Sequence, residues 1–332
     1  MSLSTSYLGL KLKNPLIASA SPLTAELSNI RALEDNGAAA VVMPSIFEEQ
    51  IEAEAEQLER LQAVGAESTA EAKSYFPAAA DYRSGARQTL ETIRLAREAV
   101  DIPIIASLNG ISDSGWTSYA TELEQAGASA IELNIFFIPS DLGLSGTDVE
   151  WRYREVLQAV KGVVNIPVSV KLSPYFSAPG AVIQDLAANG ADGFVLFNRF
   201  YQPDIDLGSM SLLRDLALST PAEIRLPLLW IGILAGQINA SLAATTGVQT
   251  SDEVVKYLLA GADAVMTTSA LLHHGIGHMR TLLDGLTEWL DVRSATVAGI
   301  KGSMSHRRLK DPTSYERANY IRILQGWQAP HR

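Results

Sequence analysis

Cysteine is absent from the 332-residue chain, which excludes disulfides, thiolate metal sites and any iron-sulfur cluster held by this chain alone. Such a cluster would have to come from a second protein. Positive charge is scarce: 26 lysines and arginines face 37 aspartates and glutamates, a formal net charge of -11. That balance repels polyphosphate chains and leaves no basic footprint for nucleic acid, although a small anion can still bind locally. No uninterrupted apolar run approaches membrane-spanning length, and the opening stretch from Met1 to Leu16 has neither an apolar signal core nor a cleavage site. The expectation is a cytoplasmic protein that binds neither nucleic acid nor membrane. Also missing are a nucleophile elbow, a P-loop and a dinucleotide-binding glycine fingerprint. His273 and His274 are adjacent, so they diverge on a helix, and no carboxylate stands at a matching spacing; no metal site is expected.

What the chain has is apolar content, 47% of residues, enough for a large core. It also has a repeated junction: Gly37-Ala38-Ala39-Ala40, Gly127-Ala128-Ser129-Ala130, Gly190-Ala191-Asp192-Gly193 and Gly261-Ala262-Asp263-Ala264. Each follows an amphipathic stretch and precedes an apolar run. Glycine can take the left-handed conformation that ends a helix, and small residues let the chain turn into a buried strand. A second series of strand starts is marked by proline, at Asn14-Pro15, Ile102-Pro103 and Ile166-Pro167, where no ladder donor is needed.

The two series alternate. They predict strands near Leu16 to Ala20, Ala39 to Met43, Ile104 to Leu108, Ala130 to Ile135, Val168 to Lys171, Gly193 to Phe197 and Ala264 to Thr267, with helices between. One strand is ambiguous, because Leu228 to Ile233 and Ser241 to Ala244 both qualify. Thr220-Pro221-Ala222-Glu223 reads as a capped helix start, so residues 221–235 are expected to be helical, kinked at Pro227, and 240–244 to be the strand. Eight such units without a composition break predict an α/β fold, a (β/α)8 TIM barrel, with an open doubly wound sheet as the alternative. Residues 1–332 form one domain on this view, with a C-terminal extension from about residue 300. That extension mixes basic and aromatic residues and could pack on the barrel, cover its mouth or join subunits. Residues 48–60, rich in glutamate, predict an exposed acidic helix after the second strand.

In such a barrel the chemistry sits where strands end, and phosphate is commonly held after the seventh and eighth strands. The corresponding turns are Ala244-Thr245-Thr246-Gly247-Val248 and Met266-Thr267-Thr268-Ser269-Ala270, small and hydroxyl-rich; either alone could be an ordinary capped turn. Lys171 ends an apolar strand and must reach a counter-charge or solvent. A structural ion pair and an anionic cofactor both satisfy that need. Asn134, Asn198 and Asn109 end strands and could meet the edge of a planar heterocycle or simply cap loops. Ala18-Ser19-Ala20-Ser21 is small enough for a flat ring to lie against the backbone.

From Asn14-Pro15 to about Gly275 the chain resembles the class 1 dihydroorotate dehydrogenase family. The resemblance is carried by Val170-Lys171-Leu172-Ser173-Pro174, Glu132-Leu133-Asn134, and Thr246 to Val254 continuing into Leu258-Leu259-Ala260-Gly261-Ala262. It implies a bound flavin mononucleotide (FMN). Lys171 would contact the pyrimidine edge and favour the reduced, anionic flavin; Thr246, Gly247, Thr267 and Thr268 would hold the phosphate; Ala18, Ser19 and Asn134 would approach the ring or ribityl chain. It implies oxidation of a carbon-carbon bond, with Asn134 and Asn198 on the substrate, possible electron transfer to a redox partner protein, and a homo-oligomer.

The departures fall on the substrate side. Where the family places its cysteine base, this chain has Phe137, which cannot take a proton. Val42-Met43-Pro44-Ser45 replaces a lysine-bearing element, and Ser74 to Ala80 replaces an asparagine-rich loop. These departures argue against dihydroorotate and for a less polar unsaturated substrate. The general base is unassigned, with Ser140, Ser145 and Tyr175 as candidates and Asp141 in the same loop. Three other readings stay open: dihydroorotate oxidised with an unusual base, a flavin electron-relay module without its own organic substrate, and a flavin-free aldolase or isomerase barrel using Lys171 as a Schiff-base amine.

Overall fold

Eight parallel strands close on one another, as the alternating joints and prolines predict. The computed structural model describes residues 2–47, 85–110, 116–199, 203–213 and 217–326. The barrel runs β3 (Leu16–Ala18), β4 (Ala40–Phe47), β5 (Ile104–Asn109), β6 (Ala130–Asn134), β7 (Val168–Leu172), β8 (Gly193–Leu196), β11 (Ser241–Ala244) and β12 (Ala264–Thr267), and β12 pairs back onto β3. The closed ring rules out the open doubly wound sheet. The acidic stretch 48–60 and the 74–80 loop lie outside the described residues.

Each strand is sorted by parity, as a filled barrel requires. Leu16, Val41, Ile104, Ile131, Val168, Phe194, Leu242 and Val265 face the helices, while Ile17, Val42, Ile105, Ala130, Val195, Ala243 and Met266 fill the interior. The helical layer comprises α1 (Leu27–Asp35), α2 (Gly85–Ala99), α3 (Trp116–Gln125), α4 (Gly146–Lys161), α5 (Pro179–Ala188), α6 (Arg225–Leu234), α7 (Ser251–Ala260), α8 (Ser269–His274) and α9 (His278–Val292). The four joint glycines, Gly37, Gly127, Gly190 and Gly261, all have positive φ, between 97° and 125°. Each strand-start proline gives its carbonyl to the neighbouring strand: Val265 N–H donates to Pro15 at 2.7 Å, Val41 to Pro103 at 3.1 Å and Ile131 to Pro167 at 2.9 Å. A missing N–H costs nothing there, and the carbonyl opens the ladder.

Three features differ from the expectations. Pro227 does not kink a helix. Pro221–Ile224 is a separate 3-10 turn, and Pro227 is the third residue of α6, where its missing N–H has no partner to lose. The strand after β3 continues to Phe47 by way of a register shift between Val42 and Ser45, and Pro44 sits inside that irregularity. A hairpin that the sequence did not announce, β1 (Thr5–Tyr7) and β2 (Leu10–Leu12), plugs the end of the barrel opposite the mouth. Its two-residue turn has Leu8 at φ 52° and Gly9 at φ 74°, the signs of a type I′ turn. Leu8 N–H donates to Ser241 Oγ (3.0 Å) and Thr5 Oγ1 to Asp263 O (2.9 Å). A side chain on Gly193 would come within 2.5 Å of Leu8, so the glycine makes room for the plug. A second hairpin, β9 (Asp204–Asp206) with β10 (Ser211–Leu213), follows β8.

After α9 the chain adds α10 (Val297–Ile300), a 3-10 turn at Pro312–Tyr315 and α11 (Arg317–Gly326). Lys301 pairs with Asp263 at 2.7 Å, and Gly302 and Met304 donate amides to Leu258 and Leu259 of α7. These contacts dock the segment beside the starts of β11 and β12. A cavity of about 490 Å³ lies there, but Lys301, Arg307 and Arg308 on its walls are engaged by Asp263, Gly236 and the chain's own backbone.

Candidate functional site

Above the apolar plug, the barrel interior turns polar. Glu132 on β6 is fully buried, and Lys171 on β7 is 9% exposed; Lys171 Nζ lies 3.3 Å from Glu132 Oε1. Glu132 Oε2 has no hydrogen-bond partner among the described residues. The counter-charge that a strand-end lysine requires is thus the carboxylate one strand over, and the pair leaves the ammonium facing the mouth. Tyr7, rising from the plug hairpin, is also fully buried; burial, and then the charge of Glu132, push its hydroxyl well above the ordinary phenol range.

Level with Lys171, Asn134 pairs in register with it on one side and with Asn109 on the other. Asn198 Nδ2 donates to Asn134 Oδ1 at 2.6 Å, and Asn134 Nδ2 approaches Ser45 Oγ at 3.5 Å. Ser45 and Ser107 hydroxyls meet at 2.8 Å. The inward polar residue of the Val42-Met43-Pro44-Ser45 run is therefore Ser45, one layer above the inward Val42. Met43 is fully buried against the helices.

The two small-residue turns meet in a cleft of about 130 Å³ that also includes Ser19, Lys171, Asn198, Arg199 and Ser219. Thr246 and Gly247 both have positive φ, 80° and 75°. A β-branched residue there needs support, and Tyr257 of α7 supplies it, donating its hydroxyl to Thr246 O (2.8 Å) and Thr245 O (3.2 Å). Since N–H and C=O point oppositely across a trans peptide, the amides of Thr246 and Gly247 face away from Tyr257. Burial first, and Glu253 second, push the Tyr257 hydroxyl far above its ordinary range, so it stays a donor. Tyr257→Phe strands two buried carbonyls and should cost about 1–3 kcal/mol in urea denaturation; an unchanged midpoint would show that the turn holds itself.

The threonine hydroxyls are already occupied. Thr246 Oγ1 donates to Phe197 O (3.1 Å), Thr267 Oγ1 to Val248 O (3.0 Å) and Thr268 Oγ1 to Ser19 O (3.1 Å). They staple the turns together, so the donors left for an anion are backbone amides. Ser19 and Ala20 line the cleft, whereas the side chain of Ala18 packs among the helix-facing core. Gly247 N–H donates to Ser219 Oγ at 3.1 Å, and Ser219 pairs with Ser269 at 2.9 Å. Ser219 stands in an unremarkable Leu-Ser-Thr-Pro run and gave no sequence signal. Arg199, which directly follows Asn198, was missed too; its Nε lies 3.0 Å from Glu223 Oε1.

Through Phe197, Asn198, Arg199 and Thr246 this cleft continues into a cavity of about 310 Å³. Tyr175, 66% exposed, stands between that cavity and a third of about 320 Å³, lined by Phe137, Ile138, Pro139 and Phe176. Ser140 is exposed in the loop after β6. Ser145 is the N-cap of α4: it donates to Asp148 Oδ2 (2.6 Å) and accepts from Asp148 N–H (3.2 Å). Asp141 accepts from Gly143 N–H at 2.8 Å and closes the same loop. Among the described residues, no helix is long and apolar enough to cross a membrane.

A family model described as dihydroorotate dehydrogenase matches residues 2–290. The chain is similar to the catalytic subunit of dihydroorotate dehydrogenase B (NAD(+)) from Listeria welshimeri, 34% identical over 174 residues, 51% of this chain and 57% of that protein. It therefore spans little more than half the length of that relative. The corresponding subunits of Thermoplasma volcanium and Thermoplasma acidophilum are 28% and 26% identical; both alignments cover 87% of this chain, with 93% and 94% of the respective relatives.

Proposed function

Because the chain belongs to the dihydroorotate dehydrogenase family, we propose that it is an FMN-dependent oxidoreductase acting on a carbon-carbon bond of a small molecule other than dihydroorotate. The observation that carries this is one cleft that brings together Lys171 and the two turns at Thr245 to Val248 and Thr267 to Ser269. A buried ammonium beside amide-rich, tightly turned backbone suits a ligand that is anionic at both ends. Backbone amides of Thr246 and Thr268, and that of Gly247 on exchanging Ser219 Oγ for an anion oxygen, would hold the phosphate, with the three threonine hydroxyls keeping the turns in place. Lys171 would set its charge against the pyrimidine edge, and Ser19 and the backbone at Ala18 would border the ring. When bound, flavin supplies a two-electron acceptor or donor for hydride.

This chain's own part is to orient the substrate and move its proton. Asn134 and Asn198, locked to each other, would present one fixed amide edge to the substrate. Phe137 holds no proton, and Ser145 is committed to its cap, leaving Ser140 and Tyr175 as the candidates for proton transfer. Relatives named as catalytic subunits and a chain without cysteine together favour electron exchange with a separate redox protein. A single domain spanning residues 1–332, assembled as a homo-oligomer and working in the cytoplasm, completes the proposal.

Purified full-length protein should be yellow, with flavin absorbance, and should release FMN on denaturation. Colourless protein that takes up no added FMN would end the proposal. Anaerobic dihydroorotate should leave the flavin oxidised; bleaching would restore dihydroorotate as the substrate.

A further inference from the structure

We propose that the cavity between the loops after β6 and β7 binds an apolar ring of the substrate, making that substrate a planar ring compound with a conjugated carboxylate head. This deepens the oxidoreductase reading and rests on it for the location of the chemistry. The cavity, about 320 Å³, is lined by Phe137, Ile138, Pro139, Val149, Tyr153, Ser173, Tyr175 and Phe176. No charged side chain is among them. An apolar cavity of about 150 Å³ already admits benzene, so this one has room for a single substituted ring.

The walls are held rigidly. Tyr153 donates its hydroxyl to Ile135 O at 2.9 Å and meets the Phe176 ring edge-on, centroids 5.3 Å apart. The Phe137 ring is covered by the Arg152 guanidinium at 4.1 Å, which fixes its plane. Polar side-chain atoms on the walls are few: Ser173 Oγ accepts from Tyr175 N–H at 3.2 Å, and the Tyr153 hydroxyl is tied to Ile135. A polar ring such as a dihydropyrimidine would leave its own donors and acceptors unpaired here, which is costly. A hydrocarbon ring would not.

Position supplies the rest of the class. Phe137 lies three residues beyond Asn134, and Ser173 two beyond Lys171, so the cavity opens directly beside the polar mouth. Across Tyr175 stands the second cavity, whose lining includes Asn198, Arg225 and the ion pair of Arg199 with Glu223, 3.0 Å apart. A ring seated against Phe137 and Phe176 therefore places an attached acid group toward the Asn198 amide and the Arg225 guanidinium.

Calorimetric titration of the full chain with cinnamate, sorbate and orotate tests this. Cinnamate, which has both ring and conjugated carboxylate, should bind at least ten-fold more tightly than sorbate, which lacks the ring, or orotate, whose ring is polar. Val149→Phe, which fills the cavity from α4, and Phe137→Ala, which removes a wall from the loop, should each weaken cinnamate ten-fold or more while leaving FMN content unchanged. Equal affinity for the three acids, or for cinnamate in the wild type and both variants, would overturn the proposal. The titration does not require a bound flavin, so colourless protein that still prefers cinnamate would reject the flavin reading and keep the ring pocket.

Discussion

Lys171→Met should lower the stability of the protein by about 3–5 kcal/mol, because it strands the Glu132 carboxylate in the barrel without its partner. Glu132 is fully buried; among the described residues one of its oxygens has no hydrogen bond, and the other meets Lys171 Nζ at 3.3 Å. The double variant Glu132→Gln with Lys171→Met removes both charges and should recover at least half of the loss, since an intact buried pair contributes little net stability over a neutral replacement. Urea midpoints of the wild type, both single variants and the double variant complete the cycle. If the double variant were no more stable than Lys171→Met, the two groups would not be coupled. On the proposed function, Lys171→Met also weakens FMN binding, and Glu132→Gln, which leaves the ammonium uncompensated, makes the bound flavin easier to reduce. A redox titration separates that effect from stability.

Gly247→Ala should weaken retention of FMN by about 100-fold while the barrel still folds. The residue has φ 75°, and a Cβ there would lie 2.6 Å from Ile224 Cγ2 and 2.8 Å from Thr220 O. The side-chain contact can relax, but the backbone carbonyl belongs to the capped turn where Thr220 N–H meets Glu223 Oε2 at 2.6 Å. The turn must move instead, at a cost of about 2–4 kcal/mol from left-handed strain and overpacking together. A shift of the Thr246 and Gly247 amides should weaken phosphate binding by about 100-fold, equivalent to roughly 2.7 kcal/mol. Gly275→Ala is the control for backbone strain without a close contact, with φ 82°, ψ 170° and nothing within 4 Å of the added carbon; it should cost about 1–3 kcal/mol. Equal FMN retention in the two variants would mean that the turn does not carry the phosphate.

The scaffold was readable because its signals are local. A glycine that must take positive φ and a proline that needs only its carbonyl can each be recognised from a few residues, and together they trace seven of the barrel strands. The strand Ser241–Ala244 was settled by the Thr220 cap, again a local feature. The β1–β2 hairpin escaped because Leu8, rather than asparagine or glycine, takes the first left-handed position of its turn. What holds Leu8 there is burial beneath Gly193 and a bond to Ser241, both distant in sequence.

The site divides along the same line. Lys171 declared its need for a counter-charge, but nothing short of the barrel's register could name Glu132 as the partner. In the sequence Glu132 stands only as a neighbour of Asn134. The hydroxyl-rich turns were visible as candidate anion sites, yet the use of Thr246, Thr267 and Thr268 as staples depends on Phe197, Val248 and Ser19 arriving from other strands. Phe137 read as the loss of a base. Its place in an aromatic pocket with Tyr153 and Phe176 required α4 and the loop after β7.

The plug hairpin also constrains the order in which this chain can complete itself. Thr5 is fastened to Asp263, Leu8 to Ser241, and β3 to β12. The hairpin residues are thus among the last to find their partners, and they wait while more than two hundred others are made. Pairings so distant are slow to form. The apolar face of Tyr7, Leu8 and Leu12 must stay out of wrong contacts for the whole of synthesis, and the barrel closes only when its end meets its beginning.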